Sequence, residues 1–222
     1  MTDFKKYGNW CPDIYRGLYI DRWNDDEVRI APCCQADCQT EPAKNFKFET
    51  SPYLNSLRSR FENNERPPEC KRCWDYEDHN GDNGYHSRRQ KAIITYENAT
   101  GRQEPWYKVA LSSLDYCCTW VCNLACAICR PLNSSLWSAE LKQTKEERRA
   151  TGRLYELKPA PSLADELDLT DIYRVHFNGG EPLATKEHIK VLTKLKENGV
   201  LADTVVSYNT NGTFYPSEEV VE

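Results

Sequence analysis

The stretch IYRVHFNGGEP, residues 172–182, reads as a strand that ends in two glycines, whose freedom at positive φ suits an abrupt loop. After it, TKEHIKVLTKLKENG (185–199) puts Ile189, Leu192 and Leu195 on one face of a helix, with Thr185 as candidate cap and Gly199 as stop. DTVVSYNTNG (203–212) is a further strand. Upstream, residues 109–114 look like a buried strand that runs straight into a cysteine loop, and NSSLWSAELKQTKEERRAT (133–151) supplies an Asn or Ser cap and a helical run. Strand, helix, strand, helix, strand implies parallel pairing with right-handed crossovers, and places active residues at the carboxyl ends of the strands. The expected fold class is therefore α/β.

The first hundred residues have a different texture. They are irregular and rich in Pro, Asn, Asp and aromatic residues, so a core built from apolar burial alone would gain from a metal staple. GLYIDRW (17–23) and EVRIAPCC (27–34) alternate apolar with polar residues and read as a hairpin. PYLNSLRSRFENNERPP (52–68) spaces Tyr53 or Leu54, Leu57 and Phe61 as a short helix stopped by Pro67 and Pro68. The change of texture sets a boundary: residues 1–103 form a small irregular α+β module, and 104–222 the α/β part.

The bulk composition narrows the function. The chain has 222 residues, 28% of them charged and 39% hydrophobic, a net charge of -5 and 11 cysteines. No apolar run is long enough to cross a bilayer, and the opening MTDFKKYGNW lacks the apolar core of a signal peptide. The expected location is the cytoplasm, where a disulfide framework is disfavoured and an odd number of clustered cysteines points to metal or redox chemistry. The acidic balance argues against coating nucleic acid. The basic runs SRRQK (87–91) and KEERR (145–149) read as solvated faces.

The cysteine loop CNLACAIC (122–129) offers Cys122, Cys126 and Cys129 at a spacing of four and then three residues. Thiolates are soft ligands suited to zinc or iron–sulfur clusters. A structural zinc site wants four closed ligands; a cubane held by three thiolates keeps one iron without a protein ligand. CNLACAIC resembles the CxxxCxxC signature of the radical SAM superfamily. NGGEP (178–182) is similar to that superfamily's glycine-rich motif on the second strand, and YNTNG (208–212) to a third-strand element that often follows.

The resemblance implies a partial (β/α) barrel. It implies that Cys122, Cys126 and Cys129 bind a 4Fe-4S cluster whose remaining iron is chelated by S-adenosylmethionine (SAM). Reductive cleavage of SAM would yield methionine and a 5′-deoxyadenosyl radical that takes a hydrogen atom from the substrate. Asn178, Gly179, Gly180, Glu181 and Pro182 would lie beside the methionyl ammonium. Asn209 and Asn211 would make polar contacts to its methionyl or ribose end. Ile128 stands where the superfamily often has an aromatic residue against adenine. No catalytic residue is assigned beyond the cluster ligands. The implied electron donor is a reduced flavodoxin or ferredoxin.

WCP (10–12), VRIAPCC (28–34), PPECKRCWDYED (67–78) and GYHSRRQ (84–90) resemble, in that order, the twitch or SPASM-like module that carries an auxiliary iron–sulfur cluster. The implied ligands are Cys11, Cys33, Cys70 and Cys73, with Cys34 a competitor for the second position. A structural zinc ribbon on the same cysteines is the alternative, and a non-catalytic zinc-binding interaction protein is the rival for the whole chain. Cys38, Cys117 and Cys118 read as ordinary thiols. Trp74, Trp106, Trp120 and Trp137 read as core fillers. His79, His86, His176 and His188 show no ligand spacing, and His176 is expected to be packed and hydrogen-bonded within its strand. A peptide is the favoured substrate, with a nucleotide or other small molecule as the alternative. Three strands of a barrel that should have about six are legible, so a missing carboxyl-terminal half or a partner chain is expected to cover the third strand's edge.

Overall fold

A computed structural model of the chain describes residues 2–22, 26–80, 85–129, 134–140 and 162–215. Six strands form one sheet in the order β3-β2-β1-β4-β5-β6. They are β1 (Gly17–Arg22), β2 (Glu27–Ala31), β3 (Gln39–Pro42), β4 (Ser113–Thr119), β5 (Arg174–Gly179) and β6 (Val205–Tyr208). The first three form antiparallel pairs, beginning with the hairpin that the sequence marks. From β1 onward, β4, β5 and β6 are parallel. The sheet therefore runs unbroken across residue 103, because β1 pairs directly with β4.

Alternation along the strands gives the sheet two unlike faces. Leu18, Ile20, Val28, Ile30, Leu114, Tyr116, Val175 and Phe177 are buried in one continuous core. That core also takes in Ile14 and Tyr15 of α1 (Pro12–Arg16), Leu54, Leu57 and Phe61 of α2 (Pro52–Glu62), and Trp74 of α3 (Lys71–Asn80). Ile93 and Tyr96 of α4 (Arg88–Thr100) complete it on this side. The opposite face is polar. Tyr19, Asp115 and His176 are neighbours across the ladder, and Ser207 lies beyond them on β6. Arg29 is ion-paired with Asp21, Arg174 with Asp115 at 3.0 Å, and His176 Nδ1 lies 2.9 Å from Ser207 Oγ.

Several boundaries differ from the sequence reading. The apolar run at 109–114 is mostly an approach to the sheet: Ala110 N and Ser112 N donate to Tyr15 O and Arg16 O, and the parallel ladder starts only at Ser113. Helix α2 has Ser51 as its cap, with Oγ accepting from Leu54 N at 3.1 Å. It ends at Glu62, ahead of the two prolines, where Asn64 takes a left-handed conformation (φ 57°). Helix α5 (Ser135–Glu140) is the described part of the expected 133–151 helix; the KEERR run lies outside the described residues.

Helix α6 (Glu187–Glu197) buries His188, Val191 and Leu195, so its inner stripe is turned from the expected one, and Ile189 is only half-buried. Its N-cap is Lys186 without a side-chain bond, not Thr185, whose buried Oγ1 has no partner among the described residues. Gly199, at φ 72°, ends it as expected, with Val200 N reaching back to Leu195 O at 3.0 Å. Among the described residues no helix is long and apolar enough to cross a membrane.

Candidate metal centres

The loop carrying Cys122, Cys126 and Cys129 leaves the carboxyl end of β4, and the start of α5 holds it in shape. Ser135 Oγ accepts from Cys122 N and donates to Cys122 O, both at 3.1 Å, and Trp137 Nε1 donates to Cys126 O at 2.8 Å. Cys122 is buried at the base, Cys129 is half-buried and Cys126 is exposed. The Cys129 thiol is pushed up by burial, then by the neighbouring Cys126 and Cys122. Ile128 points outward with 95% of its surface exposed. Trp137, rather than filling a core, anchors this loop.

The glycine loop after β5 packs directly against the backbone leading into the cysteines. Gly180 N donates to Thr119 O at 2.6 Å and Glu181 N to Val121 O at 2.7 Å. A Cβ on Gly179 would fall 2.2 Å from Thr119 O, and one on Gly180 would fall 2.3 Å from Val121 O. Gly179 also has φ 122°. Both positions therefore exclude any larger residue. Asn178 lies opposite Cys117 in the ladder, and Pro182 is buried at the start of a 3-10 turn.

Glu181 is fully buried, and its carboxylate is consumed locally. It accepts from Leu183 N at 3.0 Å, from Thr210 Oγ1 at 2.9 and 3.0 Å, and from Asn211 N at 2.7 Å. Asn211 in turn donates through Nδ2 to Cys122 Sγ at 3.6 Å and to Asn123 Oδ1 at 3.0 Å. Asn209 is exposed, its backbone N bonded to Phe177 O at 2.9 Å. The loops after three successive parallel strands thus meet at one end of the sheet.

A second group lies at the other end. Because β2 runs antiparallel to β1, Cys33 emerges beside the amino end of β1, where Cys11 also stands, immediately before α1. Cys70 closes the 3-10 turn Pro68–Cys70, and Cys73 follows one turn later in α3. Asp37 N donates to Glu69 O at 2.9 Å, tying the Cys33 segment to the Cys70 segment. Cys11, Cys33, Cys70 and Cys73 all line one small pocket. Cys34 is exposed and is not part of this lining. Burial raises the Cys11 thiol, with further contributions from Asp13 and from Cys33, Cys70 and Cys73; burial and Cys73 push Cys70 up to about 12.

Arg88 and Arg89 also line the cavity, which overturns the reading of SRRQK as a solvated face. Arg88 Nε bonds Asp13 Oδ2 at 3.0 Å. Arg89 is buried, gripping Glu77 at 2.7 Å and the carbonyls of Gly8 and Trp10 at 3.0 and 2.9 Å. The signal lies in their position: they open α4 behind a capping box at Ser87, with Asp13 facing Arg88 and Glu77 facing Arg89. The remaining thiols are Cys117, buried on the polar sheet face, Cys118, also packed in β4, and Cys38, half-buried near Ala36.

As placed, no three or more His, Cys, Asp or Glu side chains among the described residues stand together in an arrangement that would hold a metal ion, open or closed. The donor chemistry fits soft metals at both ends: three thiols of one loop open to solvent at one, four inward-facing thiols with cationic neighbours at the other. The two groups are separated by the length of β4, seven residues or roughly 20 Å. No family model matches the chain, and no curated protein or solved structure matches it.

Proposed function

We propose that this chain is a radical SAM protein, with a partial (β/α) barrel and an auxiliary-cluster module at its amino-terminal end. One observation carries the reading. The CNLACAIC, NGGEP and YNTNG loops meet at the carboxyl ends of β4, β5 and β6 and are tied to one another through Glu181, Thr210 and Asn211. Parallel pairing brings these loops side by side, and the carboxyl ends of such strands are where α/β folds build their sites; three unusual motifs fall there together.

Cys122, Cys126 and Cys129 would hold a 4Fe-4S cluster, and the chemistry it would supply is one-electron reduction of SAM, giving methionine and a 5′-deoxyadenosyl radical. The chain's own residues hold the sulfurs and shape the SAM side of the site. Ser135 and Trp137 fix the cysteine loop, while Gly179 and Gly180 let the second loop approach it closely. An ammonium only donates, so carbonyls of this turn, rather than its amides, would face the methionyl ammonium. Exposed Ile128 is available to pack against adenine.

Cys11, Cys33, Cys70 and Cys73 would hold a second, closed cluster at the opposite end, with Arg88 and Arg89 offsetting its negative charge. A reduced flavodoxin or ferredoxin is the proposed electron donor, and a peptide the favoured substrate. Anaerobic reconstitution with iron and sulfide tests this reading. The protein should become brown and hold about two clusters, losing one in Cys126→Ala and the other in Cys73→Ala. A colourless protein that retains stoichiometric zinc at both groups and takes up no iron would instead establish the zinc-binding rival.

A further inference from the structure

Asn211 lies in a loop whose resemblance suggests contact with the bound SAM, yet its side chain is fully occupied within the protein. A carboxamide offers two N–H donors and two acceptor lone pairs. Nδ2 donates to Cys122 Sγ at 3.6 Å and to Asn123 Oδ1 at 3.0 Å. Oδ1 accepts from Thr213 N at 3.0 Å and Thr213 Oγ1 at 2.6 Å. All four positions are used, so nothing remains for a ribose hydroxyl or a carboxylate. The backbone N of Asn211 is taken as well, by Glu181 Oε2 at 2.7 Å.

Further hydrogen bonds surround it. Thr213 Oγ1 also approaches Asn123 Oδ1 at 3.2 Å, and Asn123 Nδ2 lies 2.9 Å from Thr213 Oγ1. Asn123, Asn211 and Thr213 form a small polar clamp that fixes the third-strand loop to the first residues of the cysteine loop. Within it, one N–H is aimed at a sulfur.

We infer that Asn211 is a positioning residue that donates an N–H···S hydrogen bond to the Cys122 thiolate and thereby sets the reduction potential of the three-cysteine centre. The inference rests on the reading that this centre is an iron–sulfur cluster. A donor on a ligating sulfur favours the redox state with more negative charge, so it raises the potential. Asn211→Leu, close in volume and without a donor, removes that bond. Thr213→Val loosens the same clamp and leaves the N–H···S contact in place, so it reports a purely structural effect.

The test is a reductive titration of the reconstituted full chain, followed by the paramagnetic signal that responds to SAM. Asn211→Leu should shift the midpoint to more negative potential, while Thr213→Val keeps the wild-type midpoint. Equal midpoints in all three proteins, or equal shifts in both variants, would overturn the inference. Should the variants fail to fold, the wild type still decides. With asparagine labelled at its side-chain nitrogen with ¹⁵N, electron–nuclear double resonance of the reduced centre should show a ¹⁵N coupling; its absence in a protein that carries the cluster sinks the role of Asn211. A wild type that assembles no cluster sinks the underlying reading together with it.

Discussion

Glu181 and Thr210 join two loops: the Thr210 hydroxyl donates to both carboxylate oxygens of Glu181, at 2.9 and 3.0 Å, linking the loop after β5 to the loop after β6. Removing the carboxylate takes the acceptor from three donors, Leu183 N, Thr210 Oγ1 and Asn211 N, and leaves a gap where the fully buried Glu181 side chain stood. Glu181→Ala is expected to cost about 1–3 kcal/mol, and Glu181→Gln, which keeps an acceptor, distinctly less. Urea unfolding of the metal-free protein measures both. Equal stabilities for the two variants would contradict this account of the loop.

The glycine pair makes a second, steric prediction. A Cβ at Gly180 meets the carbonyl of Val121 at 2.3 Å, a backbone atom that cannot swing aside as a side chain would. Gly180→Ala should therefore destabilise the fold by ~2 kcal/mol or more and displace the cysteine loop. By contrast, Gly101→Ala faces open space, and its only cost is the left-handed φ of 67°. Thermal melts that rank the Gly101 variant as the worse of the two would refute the close-approach argument.

At the four-cysteine cavity the structure separates two adjacent thiols. Cys33 lines the cavity and Cys34 is exposed outside it. Cys33→Ser should lower the metal content of this centre, whereas Cys34→Ser should leave it at the wild-type value. Metal analysis of the two purified variants distinguishes them, and the reverse outcome would assign the ligand to Cys34.

His188 gives a pH signature. Its ring packs between Phe177 and Tyr208, and neither nitrogen reaches a partner of good hydrogen-bond geometry among the described residues. Burial lowers its pKa below the usual imidazole value, despite opposing contributions from the backbone of Pro182 and Thr185. The folded state therefore prefers the neutral ring. Its contribution to stability is complete above the unfolded pKa of about 6.5 and is lost as pH falls through the lower folded value. His188→Leu should flatten the loss of stability that sets in as pH falls below about 6.5. An unchanged slope would show that other groups dominate this limb.

What the sequence discloses here follows from how local each signal is. Three thiols in eight residues announce themselves, and the hairpin and α2 obey their own periodicities. The meeting of Cys11 and Cys33 with Cys70 and Cys73 depends on the antiparallel turn of β2, so only the resemblance grouped them. Arg88 and Arg89 look like solvated charges because their partners, Asp13 and Glu77, are remote in sequence. His188 hid in plain view: a polar residue in the buried stripe of α6 shifted the apparent apolar face toward Ile189. The apolar run ahead of Ser113 imitated a strand, although its hydrogen bonds go to the end of α1. The Glu181, Thr210 and Asn211 cluster is a long-range product of parallel pairing, invisible until β5 and β6 are side by side.

The most direct test of the central claim is electron paramagnetic resonance of the anaerobically reconstituted, reduced full chain, recorded with and without SAM. An open iron site on Cys122, Cys126 and Cys129 predicts a cluster signal whose shape changes when SAM is added and which Cys126→Ala abolishes. A signal indifferent to SAM, or one that survives unaltered in Cys126→Ala, would contradict it.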